Sequence, residues 1–393
     1  MRASLLFLIV GAFTTEAAAQ KPAAGPWDVT AIQSAEVKPE WGETVGKARE
    51  VYYPGESFDG KPTRVFAYYA KPAAGDGPFP AVLCVHGGGG KAFRDWAEHW
   101  AKRGYCALAM DLSGNGPKKR LNDGGPDQSD AVKFQDFDAT TAKDRWTYHA
   151  VAAVLRGHTL LRSFKEVDAK KVAVTGISWG GYLTCIVAGL DDRLAAAVPV
   201  YGCGFLHESS AWKAGRFDKM TAEQRERWVT NFDPSKYLPG VKCPILFLNG
   251  TNDFAYPLDS YKKCFELVPG EKTLSVRVKL PHGHIWTLGE VDAFIDSHLT
   301  GGDPLPKLTA LKLDGETVST TVTGKAKVKA AHLHYAAATG PWEKREWKSV
   351  AAEVTDGTVS AKRPADRPLV FYLAVTDERG LHVSTPHDLL PAK

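Results

Sequence analysis

Val172-Ala173-Val174-Thr175 runs directly into Gly176-Ile177-Ser178-Trp179-Gly180-Gly181, and residues 182–190 then carry apolar side chains at helical spacing. The first four residues predict a buried strand and the last nine a helix, so Ser178 falls on the turn between them. A strand that turns sharply into a helix pushes a side chain out over the carboxyl end of its sheet. Glycines are needed beside it because a Cβ there would collide with the turn. The serine hydroxyl is displayed to solvent, and the helix amino terminus behind it favours developing negative charge. Glycine-flanked serines recur by chance, so the strand and helix on either side carry the weight of the reading.

Outward from that turn, β-rich apolar runs at 65–69, 81–85, 106–110, 172–175, 195–200, 245–248 and 274–280 alternate with helical spacing at 93–103, 142–162, 182–190, 258–268 and 291–299. This alternation predicts an α/β fold, a mostly parallel sheet covered on both faces by helices. The pattern changes at Gly301-Gly302-Asp303-Pro304. Short alternating stretches at 317–322, 328–335 and 369–375 follow, with Asp377-Glu378-Arg379-Gly380 as a turn. They predict a small antiparallel, immunoglobulin-like β-sandwich over residues 303–393, with Trp342 and Trp347 in its core.

A serine hydroxyl is a poor nucleophile at neutral pH. It needs a histidine base and an acid that orients the histidine, and a serine displayed in this way expects them in the chain order Ser, acid, His. Ile245-Leu246-Phe247-Leu248-Asn249-Gly250-Thr251-Asn252-Asp253 is a strand ending in a turn with a carboxylate, which makes Asp253 the candidate acid. The next strand ends at Pro281-His282-Gly283-His284. Two histidines compete there. His284 is favoured because a preceding glycine lets the loop fold back toward the serine, which leaves His282 as a loop residue or a wall of the acyl pocket. After the strand 81–85 comes His86-Gly87-Gly88-Gly89-Gly90, where backbone N–H groups of Gly87 or Gly88, with that of Trp179, would meet an oxyanion. Asp111 reads as a turn carboxylate.

With those residues in view, the chain resembles the esterase and peptidase branch of the α/β-hydrolase superfamily, which holds acetyl xylan esterases, dienelactone hydrolases and prolyl-oligopeptidase-like enzymes. The resemblance spans roughly residues 62–299, and also rests on Gly114 and Gly116 after Asp111 and on Asp233-Pro234-Ser235-Lys236-Tyr237. It implies an α/β-hydrolase catalytic domain over 20–302 and hydrolysis of carboxylic esters through an acyl-serine, with no cofactor. The substrate expected is a small ester or an acetylated carbohydrate. Oligopeptide-cleaving relatives carry a large amino-terminal propeller, for which the residues before 62 leave no room. An amidase and an inactive carbohydrate-binding scaffold remain the alternatives. The segment 202–228 is expected over the site, with Trp212 the aromatic placed to bind substrate.

Forty-nine Lys and Arg against 45 Asp and Glu give a net charge of +4 without a basic cluster, so a nucleic-acid partner is not expected. Arg2, the apolar run from Leu5 to Val10 and Ala17-Ala18-Ala19 have the layout of a signal peptide cleaved after residue 19, implying a secreted or periplasmic protein. The run is well short of the roughly 20 residues that span a bilayer. Cys84, Cys106 and Cys185 fall in buried patterns, while Cys203, Cys243 and Cys264 are candidates for a bridge. No Cys/His spacing suggests a metal site, and His332 with His334 lacks a third ligand.

Overall fold

The computed structural model describes residues 25–392. The expected signal peptide, 1–19, lies outside them. Among the described residues, nine strands form one sheet: β1 (Glu40–Val45), β2 (Ala48–Pro54), β3 (Arg64–Ala70), β4 (Phe79–Val85), β5 (Cys106–Met110), β6 (Val167–Ile177), β7 (Ala196–Val200), β8 (Ile245–Gly250) and β9 (Lys272–Arg277). Their spatial order is β1-β2-β3-β5-β4-β6-β7-β8-β9. From β5 to β9 every pairing is parallel, and β1 to β3 add an antiparallel edge. Parallel strands need both faces covered. Helices Trp146–Ser163, Trp179–Leu190 and Leu258–Leu267 bury one face, and Arg94–Lys102 with Gly289–Leu299 bury the other.

The hairpin β1–β2 was not expected from the sequence. Glu40–Val45 is exposed at most positions, so it shows no alternating apolar face, and β2 contributes only every second or third residue to the core. At the opposite edge β9 ends at Arg277, three residues before the expected limit at 280.

Residues beyond 305 form two antiparallel sheets. One holds β10 (Lys307–Leu308), β11 (Lys312–Asp314), β12 (Thr317–Thr323), β15 (Glu353–Thr355) and β16 (Thr358–Lys362). The other holds β13 (Val328–Ala337), β14 (Lys348–Ala351), β17 (Leu369–Asp377), β18 (His382–Ser384) and β19 (Asp388–Leu390). Val318, Val359, Leu333, Phe371, Leu373 and Val375 pack between them. Trp342 and Trp347 do not. They are buried on the outer face with Tyr372 and Ala374, in the core shared with the nine-stranded sheet and its helices. That apolar contact fixes which face of the tail meets the large sheet.

Candidate active site

Ser178 leaves β6 and caps the helix Trp179–Leu190 with φ 58° and ψ −119°. Such a backbone conformation in a residue with a Cβ costs on the order of 1–3 kcal/mol and persists only where the surroundings over-determine it. The determinants are visible. Ser178 N–H donates to Val200 O at 2.9 Å, and Tyr182 N–H donates to Ser178 O at 2.9 Å. The turn also has to pass under the loop after β4. A Cβ on Gly87 would lie 2.7 Å from Ile177 O and 3.0 Å from the Ser178 Cβ, so only glycine lets that loop approach the serine.

Asp253 stands in the turn after β8, buried at 2% exposure. Its Oδ1 accepts the N–H groups of Ala255 (2.9 Å) and Tyr256 (2.8 Å), which fixes the carboxylate and leaves Oδ2 for a histidine. That histidine is His282. Its Nδ1 lies 2.7 Å from Asp253 Oδ2 and its Nε2 2.9 Å from Ser178 Oγ. The expectation that His284 would take this place is therefore corrected. Because β9 stops at Arg277, the loop has already turned back over the sheet when it reaches residue 282. Two residues on, the chain has passed the serine, and the His284 ring rests 4.8 Å from Phe93 beside Gly87 and Gly90. Partial burial and the neighbouring His86 and His282 push the His284 imidazole below its usual range. Tyr201 donates its hydroxyl to Gly283 O at 2.6 Å and lays its ring 4.7 Å from that of His282, holding the loop in this path.

Gly87 and Gly88 lie where the sequence puts them, facing the amino terminus of the helix that begins at Trp179. Among the described residues no acceptor takes either N–H. His86 anchors the loop: its Nε2 accepts Leu112 N–H at 2.9 Å, so Nδ1 carries the proton and donates to Gly87 O at 2.7 Å. Burial pushes this imidazole down and keeps it neutral, as the tautomer requires. Asp111 is the expected turn residue, accepting from Ser113 N (2.8 Å) and Asn115 N (2.7 Å).

Trp212 is the aromatic of the 202–228 segment that reaches the site. Its ring lies 4.5 Å from Trp179 and 5.4 Å from Tyr256, whereas Phe217 and Trp228 are buried core. Three wall residues escaped the sequence reading: Tyr201, Phe254 and Tyr256. Phe254 is 58% exposed, with its ring 5.0 Å from His282. Tyr256 is fully buried, lies nearly parallel to the His282 ring at 6.4 Å, and turns its hydroxyl toward Ser178 without a well-formed hydrogen bond. The Asp253-Phe254-Ala255-Tyr256 sequence itself was the available signal, since residues in the acid turn must face the site. All six cysteines are free and buried, so the candidate bridge among Cys203, Cys243 and Cys264 is absent. Among the described residues no group of three metal donors converges, and no helix is long and apolar enough to cross a membrane.

Residues 33–214 match the family model described as acetyl xylan esterase (AXE1). Over that segment the chain is similar to the acetyl xylan esterases, and its sheet has the α/β-hydrolase fold. Residues 201–348 of this α/β-hydrolase also match the model of PhoPQ-activated pathogenicity-related proteins. The acetyl esterase Axe7A of Xylanibacter ruminicola is 25% identical over 241 residues, 58% of this chain and 54% of that protein. A putative carboxymethylenebutenolidase of Salmonella typhi is 32% identical over 139 residues, 35% of this chain and 47% of that protein. The chain thus spans about half the length of these curated relatives. Among solved structures, the acetyl xylan esterase from Paenibacillus sp. R4 superposes with a TM-score of 0.57 at 21% identity, covering 69% of this chain and 92% of that one. Acetyl xylan esterase 1 from Thermoanaerobacterium sp. JW/SL YS485 gives 0.56 at 20% identity, over 69% and 91%. Both support the fold.

Proposed function

We propose that this chain is a serine esterase that cleaves carboxylic esters, acetyl esters on carbohydrate among them, outside the cytoplasm. The observation that carries the reading is His282 standing between Asp253 Oδ2 and Ser178 Oγ at 2.7 and 2.9 Å. Ser178 Oγ bonds to the acyl carbon as its proton passes to His282 Nε2. The carbonyl oxygen takes up negative charge against the N–H groups of Trp179 and of Gly87 or Gly88, each worth on the order of 100-fold or more in rate. Asp253 keeps Nδ1 protonated and stabilises the imidazolium without taking its proton. The imidazolium then protonates the departing alcohol. Water repeats the sequence on the acyl-serine, losing its proton to His282, and the free acid leaves as Ser178 regains its hydrogen.

The acetyl preference is supported by the AXE1 match and by the name of the Axe7A relative. Export is supported by the amino-terminal Arg2, the apolar run and Ala17-Ala18-Ala19. The test is labelling of the purified protein by a fluorophosphonate, with Ser178→Ala as control, followed by nitrophenyl acetate, acetylated xylan and aminoacyl anilides. Labelling lost in the variant, with acetyl esters turned over, is expected. A folded wild type that neither labels nor cleaves any of the three would refute the reading, and cleavage of anilides alone would replace it with an amidase.

A further inference from the structure

The β-domain reaches the two loops that carry Asp253 and His282, and it does so through defined polar contacts. Asn252, next to the acid, donates its Nδ2 to Glu343 O at 3.2 Å and to Arg345 O at 2.9 Å, both in the β-domain loop that also holds Trp342 and Trp347. Its Oδ1 accepts the Thr251 hydroxyl at 2.7 Å, and Thr251 Oγ1 in turn accepts Lys279 N–H at 2.9 Å, three residues before His282. One amide side chain therefore joins the acid turn, the base loop and the β-domain. The strand beneath is tied in the same way. As the edge of the hydrolase sheet, β9 would present unpaired backbone groups, yet Val276 N–H donates to Ser384 Oγ at 3.0 Å and Val276 O accepts the Tyr372 hydroxyl at 3.3 Å. Glu290, fully buried, accepts His382 N–H at 2.8 Å and pairs with Arg277, the last residue of β9.

We propose that the β-domain is part of the catalytic apparatus, a brace that sets the spacing of Asp253 and His282, with Asn252 as the positioning residue through which it acts. The inference rests on the esterase reading above. A domain serving only to bind polysaccharide would need its free faces and loops, whereas here the 341–347 loop is spent on the acid turn. Displacement of a catalytic group by about 1 Å costs on the order of 100-fold in rate, so loss of the Asn252 contacts reads out in turnover.

The experiment uses the full chain. Asn252→Ala removes the link to both carbonyls and to Thr251. Asn252→Asp keeps the shape but turns a charged oxygen toward the two carbonyls, and Asn252→Ser, which removes the link without adding a charge, keeps the test readable if either of the others folds poorly. With active sites counted by fluorophosphonate, each variant is expected to lose about 10- to 100-fold in kcat for nitrophenyl acetate, to label more slowly, and to keep KM within about twofold. A merely structural contact would lower the melting temperature and the number of labelled sites while leaving kcat per labelled site intact. That result, with active wild type, overturns the brace alone. A wild type that neither labels nor turns over ester overturns the esterase reading and the inference with it.

Discussion

His282→Ala and His284→Ala separate the two histidines of one loop, between Arg277 and Gly289, and the structure assigns them opposite outcomes. Truncating His282 removes both of its hydrogen bonds, 2.9 Å to Ser178 Oγ and 2.7 Å to Asp253 Oδ2. The serine proton then has no acceptor in reach, and a carboxylate 2% exposed keeps only its backbone partners. Loss of a general base acting in concert with its nucleophile lowers kcat by about 10⁴- to 10⁶-fold, or about 5–8 kcal/mol at 1.36 kcal/mol per decade. Truncating His284 removes a ring packed on Phe93 beside the oxyanion loop, with no hydrogen bond to Ser178 or Asp253. Its expected cost is less than about tenfold. The assay is nitrophenyl acetate turnover normalised to folded protein by circular dichroism. A His284→Ala enzyme as impaired as the expected His282→Ala, beside a His282→Ala enzyme within tenfold of wild type, would refute the assignment.

Asp253→Asn keeps the shape of the turn but reverses the tautomer held on His282, and turnover is expected to fall about 10⁴-fold while the melting temperature changes little. Tyr256→Phe deletes a buried hydroxyl that faces Ser178 but makes no well-formed hydrogen bond among the described residues. The free enzyme should gain up to about 1–3 kcal/mol in urea unfolding, and a loss would mean that a partner exists in solution. Burial holds His334 at about 4 and His382 and His387 at about 3, against about 6.5 in the unfolded chain. The unfolded state therefore binds more protons below pH 6.5. Stability is full above that pH and falls as it drops toward 4, by at most about 1.4 kcal/mol per pH unit for each histidine. Thermal melts from pH 7.5 to 5 check this, and His382→Gln should flatten the slope.

The elements that place Ser178, Gly87 and Asp253 were legible because each follows a buried parallel strand, whose continuous apolar run ends abruptly at the functional turn. The run 106–110 matches β5 in full, and β7 and β8 differ from their runs by one or two residues. The choice between His282 and His284 was not legible, since each flanks Gly283 and the outcome depends on where β9 lets go. Leu274 and Val276 belong to the strand, but Val278 and Leu280 extend the same alternation past its end, so pattern alone runs on to 280. Burial of Trp342 and Trp347 was legible and their partner was not. Their chemistry fits a sandwich core as well as the surface they cover, and only the path of the loop between β13 and β14 decides which face they occupy.

Strand order gives the physical reason for the proposed brace. Ser178 and the oxyanion loop follow β6 and β4, adjacent strands in the middle of the sheet, and the close contacts of Gly87 with Ile177 and Ser178 lock them to each other. The acid and base follow β8 and β9, and β9 has hydrolase neighbours on one side only. Edge elements open at lower free energy than central ones, so the half of the site that needs sub-ångström placement of His282 sits where the sheet alone gives the least. Covering β9 with Ser384 and Tyr372 and pinning Asn252 to the 341–347 loop ties both outer loops to the β-domain. On this argument the proposed brace stands where it does because the geometry proposed for proton transfer, from Ser178 to a His282 held in place by Asp253, is least protected at that edge.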